Sequence, residues 1–201
     1  MFNDNWINNY DSKIKYIIGA DEVGTGACAG PFVVCAVKAP PDWDIAGLGD
    51  SKKLSEKKRS EMEIKILNDA NSNVIKYSLL EITCDQVDQL GLGNALKYAH
   101  QCVVNNLADE DSVAIVDGKL KIEAKCQVDS LIKADNQVPT VMAASILAKT
   151  YRDKKMRQLH EKYPMYGWNQ NVGYVVANHK EAIKAHGLSP FHRKSYKLKG
   201  I

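Results

Sequence analysis

The chain has 201 residues, 45% of them hydrophobic, with 27 Lys and Arg against 24 Asp and Glu. That length and apolar content suit one globular domain spanning residues 1–201. No apolar run approaches the roughly 20 residues of a membrane span, and the opening MFNDNWINNYDSK has neither the basic start nor the apolar core of a signal peptide, so the expected location is cytoplasmic. The cysteines at 28, 35, 84, 102 and 126 are odd in number, widely spaced and set mostly in apolar patterns. They read as buried free thiols rather than a disulfide framework or a zinc knuckle.

The first regular element is the run Tyr16, Ile17, Ile18, a buried strand that delivers Asp21 and Glu22 to its carboxyl end. A glycine-rich loop, GTGACAG, follows and closes at Pro31. Next, PFVVCAVKAP predicts a second strand in a hairpin with the first, stopped by Pro40 and Pro41. Residues 42–54 lack periodicity and include DSKKLS, a basic loop. Ser55 caps a helix running to about Ala70, with Met62, Ile66 and Ala70 on one face. Residues 73–80, NVIKYSLL, predict a third strand, and Thr83 with Gln86 forms a capping box for a short helix. Leu96, Ala99, Val103 and Leu107 recur with helical period over 93–107, and His100 within that helix reads as structural.

SVAIVDG predicts another strand ending in an acid, Asp117, and SLIKAD a short one ending in Asp135. A long helix then starts near Pro139, a favoured first-turn residue. Its later part carries a basic face through Lys149, Arg152, Lys154, Lys155 and Arg157. YPMYGWNQNVGY reads as an irregular aromatic loop, Asn178 with Glu181 as the cap of a last helix, and HGLSPFHRKSY as a basic tail.

Four carboxylates, Asp21, Glu22, Asp117 and Asp135, are thus expected on one sheet edge. Unassisted they would repel one another. Hard divalent cations prefer oxygen ligands, so Mg²⁺ or Mn²⁺ is the natural counter-charge. The remaining acids, including Asp88 and the run from Asp109 to Asp111, read as surface charge. Residues 149–201 hold 12 Lys and Arg against 3 Asp and Glu, a net of +9 in a chain of net +3, which leaves residues 1–148 at −6. The same segment holds seven of the fifteen aromatics. Basic groups interleaved with aromatic faces point to a nucleic-acid partner.

GTGACA also matches the dinucleotide-binding pattern G-x-G-x-x-A after a strand. That pattern must open a helix, whereas Pro31 and the β-branched run predict a strand, and two carboxylates beside the loop would repel a pyrophosphate.

GADEVGTG, GLGDSKKLS, VDG, KAD before AASILAKTYRDKKM, YPMYGW, GY before NH, and HRKSY occur in this order over residues 14–197. On these segments the chain resembles the type 2 ribonucleases H, most closely bacterial ribonuclease HII. The resemblance implies an α/β fold, a ribonuclease H-like mixed β-sheet flanked by helices, with a basic helical C-terminal segment over 149–201. It implies hydrolysis of the RNA strand of RNA/DNA hybrids with two Mg²⁺ or Mn²⁺ ions, leaving 5′-phosphate and 3′-hydroxyl ends, and incision at ribonucleotides embedded in duplex DNA. It places metal binding and catalysis on Asp21, Glu22, Asp117 and Asp135. It places recognition of the RNA-to-DNA junction on Gly24, Thr25, Gly26 and Tyr174; Lys52 of the basic loop, Ser145, Lys149, Arg152, His192 and Arg193 are the further candidates for substrate binding. A monomer is expected, and no C-terminal sliding-clamp motif is evident.

Thr25 stands where ribonuclease HII usually has a basic residue, so GTG looks like the sibling ribonuclease HIII. Val172 and Val176 replace a common lysine and threonine. These departures predict better cutting of runs of ribonucleotides than of a single one. The alternatives are a hybrid-binding protein without cleavage and another ribonuclease H-like DNA nuclease.

Overall fold

The computed structural model describes residues 13–49, 51 and 54–198. Its elements in chain order are β1 (Tyr16–Val23), β2 (Phe32–Ala39), α1 (Glu56–Asn71), β3 (Lys76–Ile82), α2 (Cys84–Leu90), α3 (Leu92–Asn105), β4 (Ser112–Asp117), β5 (Gln127–Leu131), α4 (Pro139–Lys162), α5 (Trp168–Asn171) and α6 (Ala177–His186). The strands form one sheet in the order β3-β2-β1-β4-β5. β2 is antiparallel to β1 and to β3, while β4 runs parallel to β1 and to β5. The sheet is therefore mixed, and β1 and β2 at its centre read as near-continuous apolar runs because both faces are covered.

On one face, α4 and α1 bury Val33, Cys35 and Val37 with Met62, Ile66 and Ile146. On the other, α3 closes over Ile18, Ala20, Val34 and Val116. Gly19 permits the closest approach: a Cβ there would lie 2.2 Å from the backbone nitrogen of Val141, in the first turn of α4. The helix start thus rests on β1 two residues before Asp21. Ser55 caps α1 by accepting from the Lys58 amide, and Thr83 with Gln86 makes the capping box of α2, as their spacing predicts.

Several elements differ from the sequence reading. β3 starts at Lys76 rather than 73 and extends to Ile82, because its register is set by pairing with Phe32–Lys38 rather than by its own apolar run. β5 covers Gln127–Leu131, so Asp135 lies beyond the strand, in a 3₁₀ turn over Ala134–Asn136. α6 begins at Ala177 after Val176, without a side-chain cap, which places Asn178 inside the helix. The aromatic stretch contains a 3₁₀ turn at Pro164–Tyr166 and the short α5.

The aromatics there do not form an open stacking surface. Trp168 is fully buried and stacks on Tyr166 at 5.0 Å, and both pack with Met156, Leu159 and Ile183 in a separate small core. Asp88 is likewise not idle surface charge, since its carboxylate accepts from the amides of Lys194 and Ser195 and fixes the tail to α2. Asp109 pairs with the largely buried Lys38.

Candidate active site

β1 and β4 run parallel with Ala20 opposite Val116, so Asp21 and Asp117 follow side by side one step further along both strands. Neighbouring strands lie about 4.8 Å apart. The Ala134 amide donates to Asp117 Oδ1 at 2.7 Å, which brings the 3₁₀ turn and Asp135 against the end of β4. Asp135 Oδ1 in turn accepts from the Asn136 side chain at 2.9 Å. Asp21, Glu22, Asp117 and Asp135 are therefore delivered to one edge by three different segments, although Asp135 comes from a turn and Asp21 lies two residues before the end of β1.

Asp21 is the most constrained of them. It is 4% exposed, and burial together with the adjacent Glu22 charge pushes its carboxyl up to about 7, with Asp117 adding to the repulsion. The Ser145 hydroxyl and the Glu22 amide, the latter 2.8 Å from Oδ1, oppose that shift by hydrogen-bonding to the carboxylate. Ser145 projects from the buried part of α4, and its hydroxyl lies 2.8 Å from that of Ser51, which links the basic loop to Asp21. Glu22 has a different neighbour. Oε2 lies 3.4 Å from Nε2 of the fully buried His100, whose Nδ1 donates to the Leu96 carbonyl at 3.1 Å.

Among the described residues, no three His, Cys, Asp or Glu side chains are gathered closely enough to hold an ion as they stand. The donor set nevertheless fits a hard divalent cation, since it is all oxygen and includes a carboxyl that burial and its neighbours' negative charges push up to about 7, a cost that a bound cation would offset. Cys28, in the glycine loop, does not compete as a nucleophile. Burial raises its thiol to about 11.

The glycine loop packs against the segment carrying Tyr174. The amides of Cys28 and Ala29 both donate to the Gly173 carbonyl, at 2.9 and 3.2 Å. A Cβ on Gly26 would lie 3.7 Å from the Tyr174 ring, which is half-exposed beside the loop. Val172, one residue before Gly173, has φ 42° and ψ 35°, a left-handed conformation that a β-branched residue rarely adopts.

The C-terminal tail closes the loop from behind. The Gly30 amide donates to the Phe191 carbonyl at 2.8 Å, and the Arg193 amide to the Cys28 carbonyl at 2.8 Å. His192 is buried in the aromatic core. Its Nδ1 accepts from the Ser189 amide, and its Nε2 lies 3.2 Å from Nε2 of His179. Because His179 Nδ1 donates to the Tyr174 carbonyl at 2.9 Å, its Nε2 is the acceptor, and it also takes the Trp168 indole proton at 3.1 Å. Both imidazoles are thus held neutral, with burial lowering both pKa values, that of His192 to about 4.

Of the other substrate-binding expectations, Arg152, His192 and Arg193 are buried and face the protein interior. Thr25 is half-buried. Lys149, also half-buried, pairs with Asp153 at 2.8 Å. Lys52 lies outside the described residues. Ser51, His100 and His179 were not singled out as supports of the site. Ser51 lies in the GLGDSKKLS segment and His179 in the NH that follows GY, but only tertiary contact brings each of the three to its partner.

The family model described as Ribonuclease HII matches residues 18–199. A protein of Dechloromonas aromatica described as Ribonuclease HII is 41% identical over 185 residues, covering 91% of each chain. The RNase HII of the PCNA:RNase HII complex from Archaeoglobus fulgidus superposes with a TM-score of 0.74 at 27% identity, over 91% of this chain and 96% of that one. Bst-RNase HIII in complex with Mn²⁺ gives a TM-score of 0.62 at 24% identity, over 88% of this chain and 64% of that one, and shares the fold. With its mixed sheet and helical C-terminal part, this chain belongs to the ribonuclease HII family.

Proposed function

We propose that the protein hydrolyses the RNA strand of RNA/DNA hybrids at Asp21, Glu22, Asp117 and Asp135. As a ribonuclease HII it is a metal-dependent endoribonuclease. The single observation that carries the residue assignment is Asp21. It is a carboxyl pushed up by burial and by the charges of Glu22 and Asp117, at the head of the glycine loop that packs on Tyr174.

Asp21 and Asp117 would hold Mg²⁺ or Mn²⁺ from adjacent strands, with Glu22 and Asp135 flanking them. Bound ions supply Lewis acidity at the scissile phosphate, lower the pKa of the attacking water and stabilise the leaving 3′ oxygen. Ser145 orients Asp21 through its hydroxyl, and His100 faces Glu22. The Gly24–Gly26 backbone and Tyr174 adjoin one another, so a ribose 2′-hydroxyl on the loop and a sugar on the tyrosine ring can be read together. The products carry 5′-phosphate and 3′-hydroxyl ends. The enzyme works as a cytoplasmic monomer.

The test is cleavage, in Mg²⁺ and in Mn²⁺, of two end-labelled duplexes, one with a single ribonucleotide and one with a tract of four. Wild type cuts the tract, and Asp21→Asn does not. A wild type inactive on both in either metal removes this reading. Thr25 in place of a basic residue favours the tract over the single ribonucleotide; equal or faster incision of the latter would overturn that preference.

A further inference from the structure

The glycine loop is held by two arginines that have no acid to hold. Arg152 and Arg193 are 0% and 1% exposed. Arg193 donates to the carbonyls of Gly24, Thr25 and Gly30 at 2.8 to 3.2 Å, and to the Tyr196 hydroxyl at 2.9 Å. Arg152 donates to the carbonyls of Pro31 and Ala29, at 2.8 and 3.3 Å, and its Nη1 is buried without a partner. No carboxylate is among these partners. Burying a charge on backbone dipoles alone is costly, and leaving one of its donors unmade adds to that cost. This chain buries two guanidinium groups beneath one loop, and that of Arg152 leaves a donor unmade.

The arrangement has a geometric consequence. With five carbonyls drawn inward, the Ala27 amide turns back to Gly24, those of Cys28 and Ala29 go to Gly173, and that of Gly30 goes to Phe191. Among the described residues, the amides of Thr25 and Gly26 are left without a backbone acceptor. Successive free amides over buried positive charge make an anion-binding concavity. The guanidinium carbon of Arg152 lies 5.7 Å from the Tyr174 ring centroid, and a Cβ on Gly24 would lie 2.0 Å from Arg152 Nε, so the charge sits directly under the loop and beside the tyrosine.

We propose that Arg152 and Arg193 are positioning residues for the RNA strand: by turning the loop carbonyls inward they present the amides of Thr25 and Gly26, over two buried guanidinium groups, to a phosphodiester and its ribose hydroxyl. They act through the loop and not by touching substrate. This inference rests on the hybrid-nuclease reading. The site demands the planar fork, because a lysine ammonium spans fewer of these carbonyls at once.

The test is fluorescence anisotropy in EDTA with a labelled RNA/DNA hybrid and the all-DNA duplex of the same sequence, with melting temperatures recorded in parallel. Arg193→Lys and Arg152→Lys weaken hybrid binding about tenfold, the scale of a lost charge-assisted hydrogen bond, and leave the all-DNA duplex within about twofold. Tyr196→Phe removes only the hydroxyl that donates to the Thr25 carbonyl at 2.6 Å. It serves if the arginine variants do not fold, and it weakens hybrid binding selectively by about threefold. A folded variant that keeps full hybrid affinity, or that loses both duplexes equally, overturns the proposal. Wild type failing to cut the hybrid in Mn²⁺ removes the nuclease reading instead and leaves this binding comparison standing on its own.

Discussion

A Cβ on Gly173 would lie 2.2 Å from the carbonyl oxygen of Ala29, and Gly173 has φ +84°. The glycine loop and the tyrosine segment therefore meet backbone to backbone at a point where no side chain fits. Gly173→Ala is expected to destabilise the protein by about 3 kcal/mol or more, since neither a left-handed backbone nor a main-chain clash relaxes cheaply. Gly26→Ala should differ, because its nearest contact, the Tyr174 ring, is 3.7 Å away and flexible. Thermal melting should show a large drop for the first and a change within about 0.5 kcal/mol for the second.

Asp21 carries a sign that can be measured. Its carboxyl titrates at about 7 in the fold against 3.8 unfolded. Between those values the native state holds a proton that the unfolded state has lost, so stability falls as pH rises through that window and the deficit is complete above about 7. At 1.36 kcal/mol for each pKa unit, the upper bound is about 4 kcal/mol. Metal-free Asp21→Asn is therefore expected to melt higher than wild type at pH 8 and equally at pH 4. Added Mn²⁺ should stabilise wild type more than the variant. A variant that melts lower at pH 8 would contradict the buried, repelled carboxyl.

His192 works in the opposite direction. Burial and the neighbouring His179 lower it to about 4, against 6.5 unfolded. Below 6.5 the unfolded state gains a proton that the fold refuses, so the stability present above that pH is lost progressively down to about 4, by at most about 3 kcal/mol. His192→Asn should lower stability at neutral pH and flatten the pH profile between 4 and 6.5. Denaturant melts at half-unit pH steps give both quantities.

Val172 holds a left-handed conformation at φ 42° while packing partly into the aromatic core. Asn tolerates that conformation and Val does not. Relief of about 1 to 2 kcal/mol of backbone strain outweighs the partial loss of apolar contact. Val172→Asn is expected to raise the melting temperature by about 2 °C, and a decrease would show that the packing dominates.

The amino-acid sequence by itself determined the elements whose signals are local. The apolar runs of β1, β2 and β4, the caps at Ser55 and Thr83, and the long helix opening at Pro139 all lie where period, cap and proline place them. It also set an acid behind each of two apolar runs, at Asp21 and Asp117, and the parallel pairing of β1 with β4 then placed the two side by side. What local signals do not carry is what tertiary contact decided. Asp135 reaches the edge from a 3₁₀ turn held by Asp117, not from a strand end. The basic, aromatic C-terminal quarter reads as a solvent-facing nucleic-acid surface by composition, yet Trp168, His192 and Arg193 are buried. Composition records charge and ring content but not direction. Burial of a guanidinium is settled only when carbonyls from a loop some 160 residues earlier arrive to accept its protons.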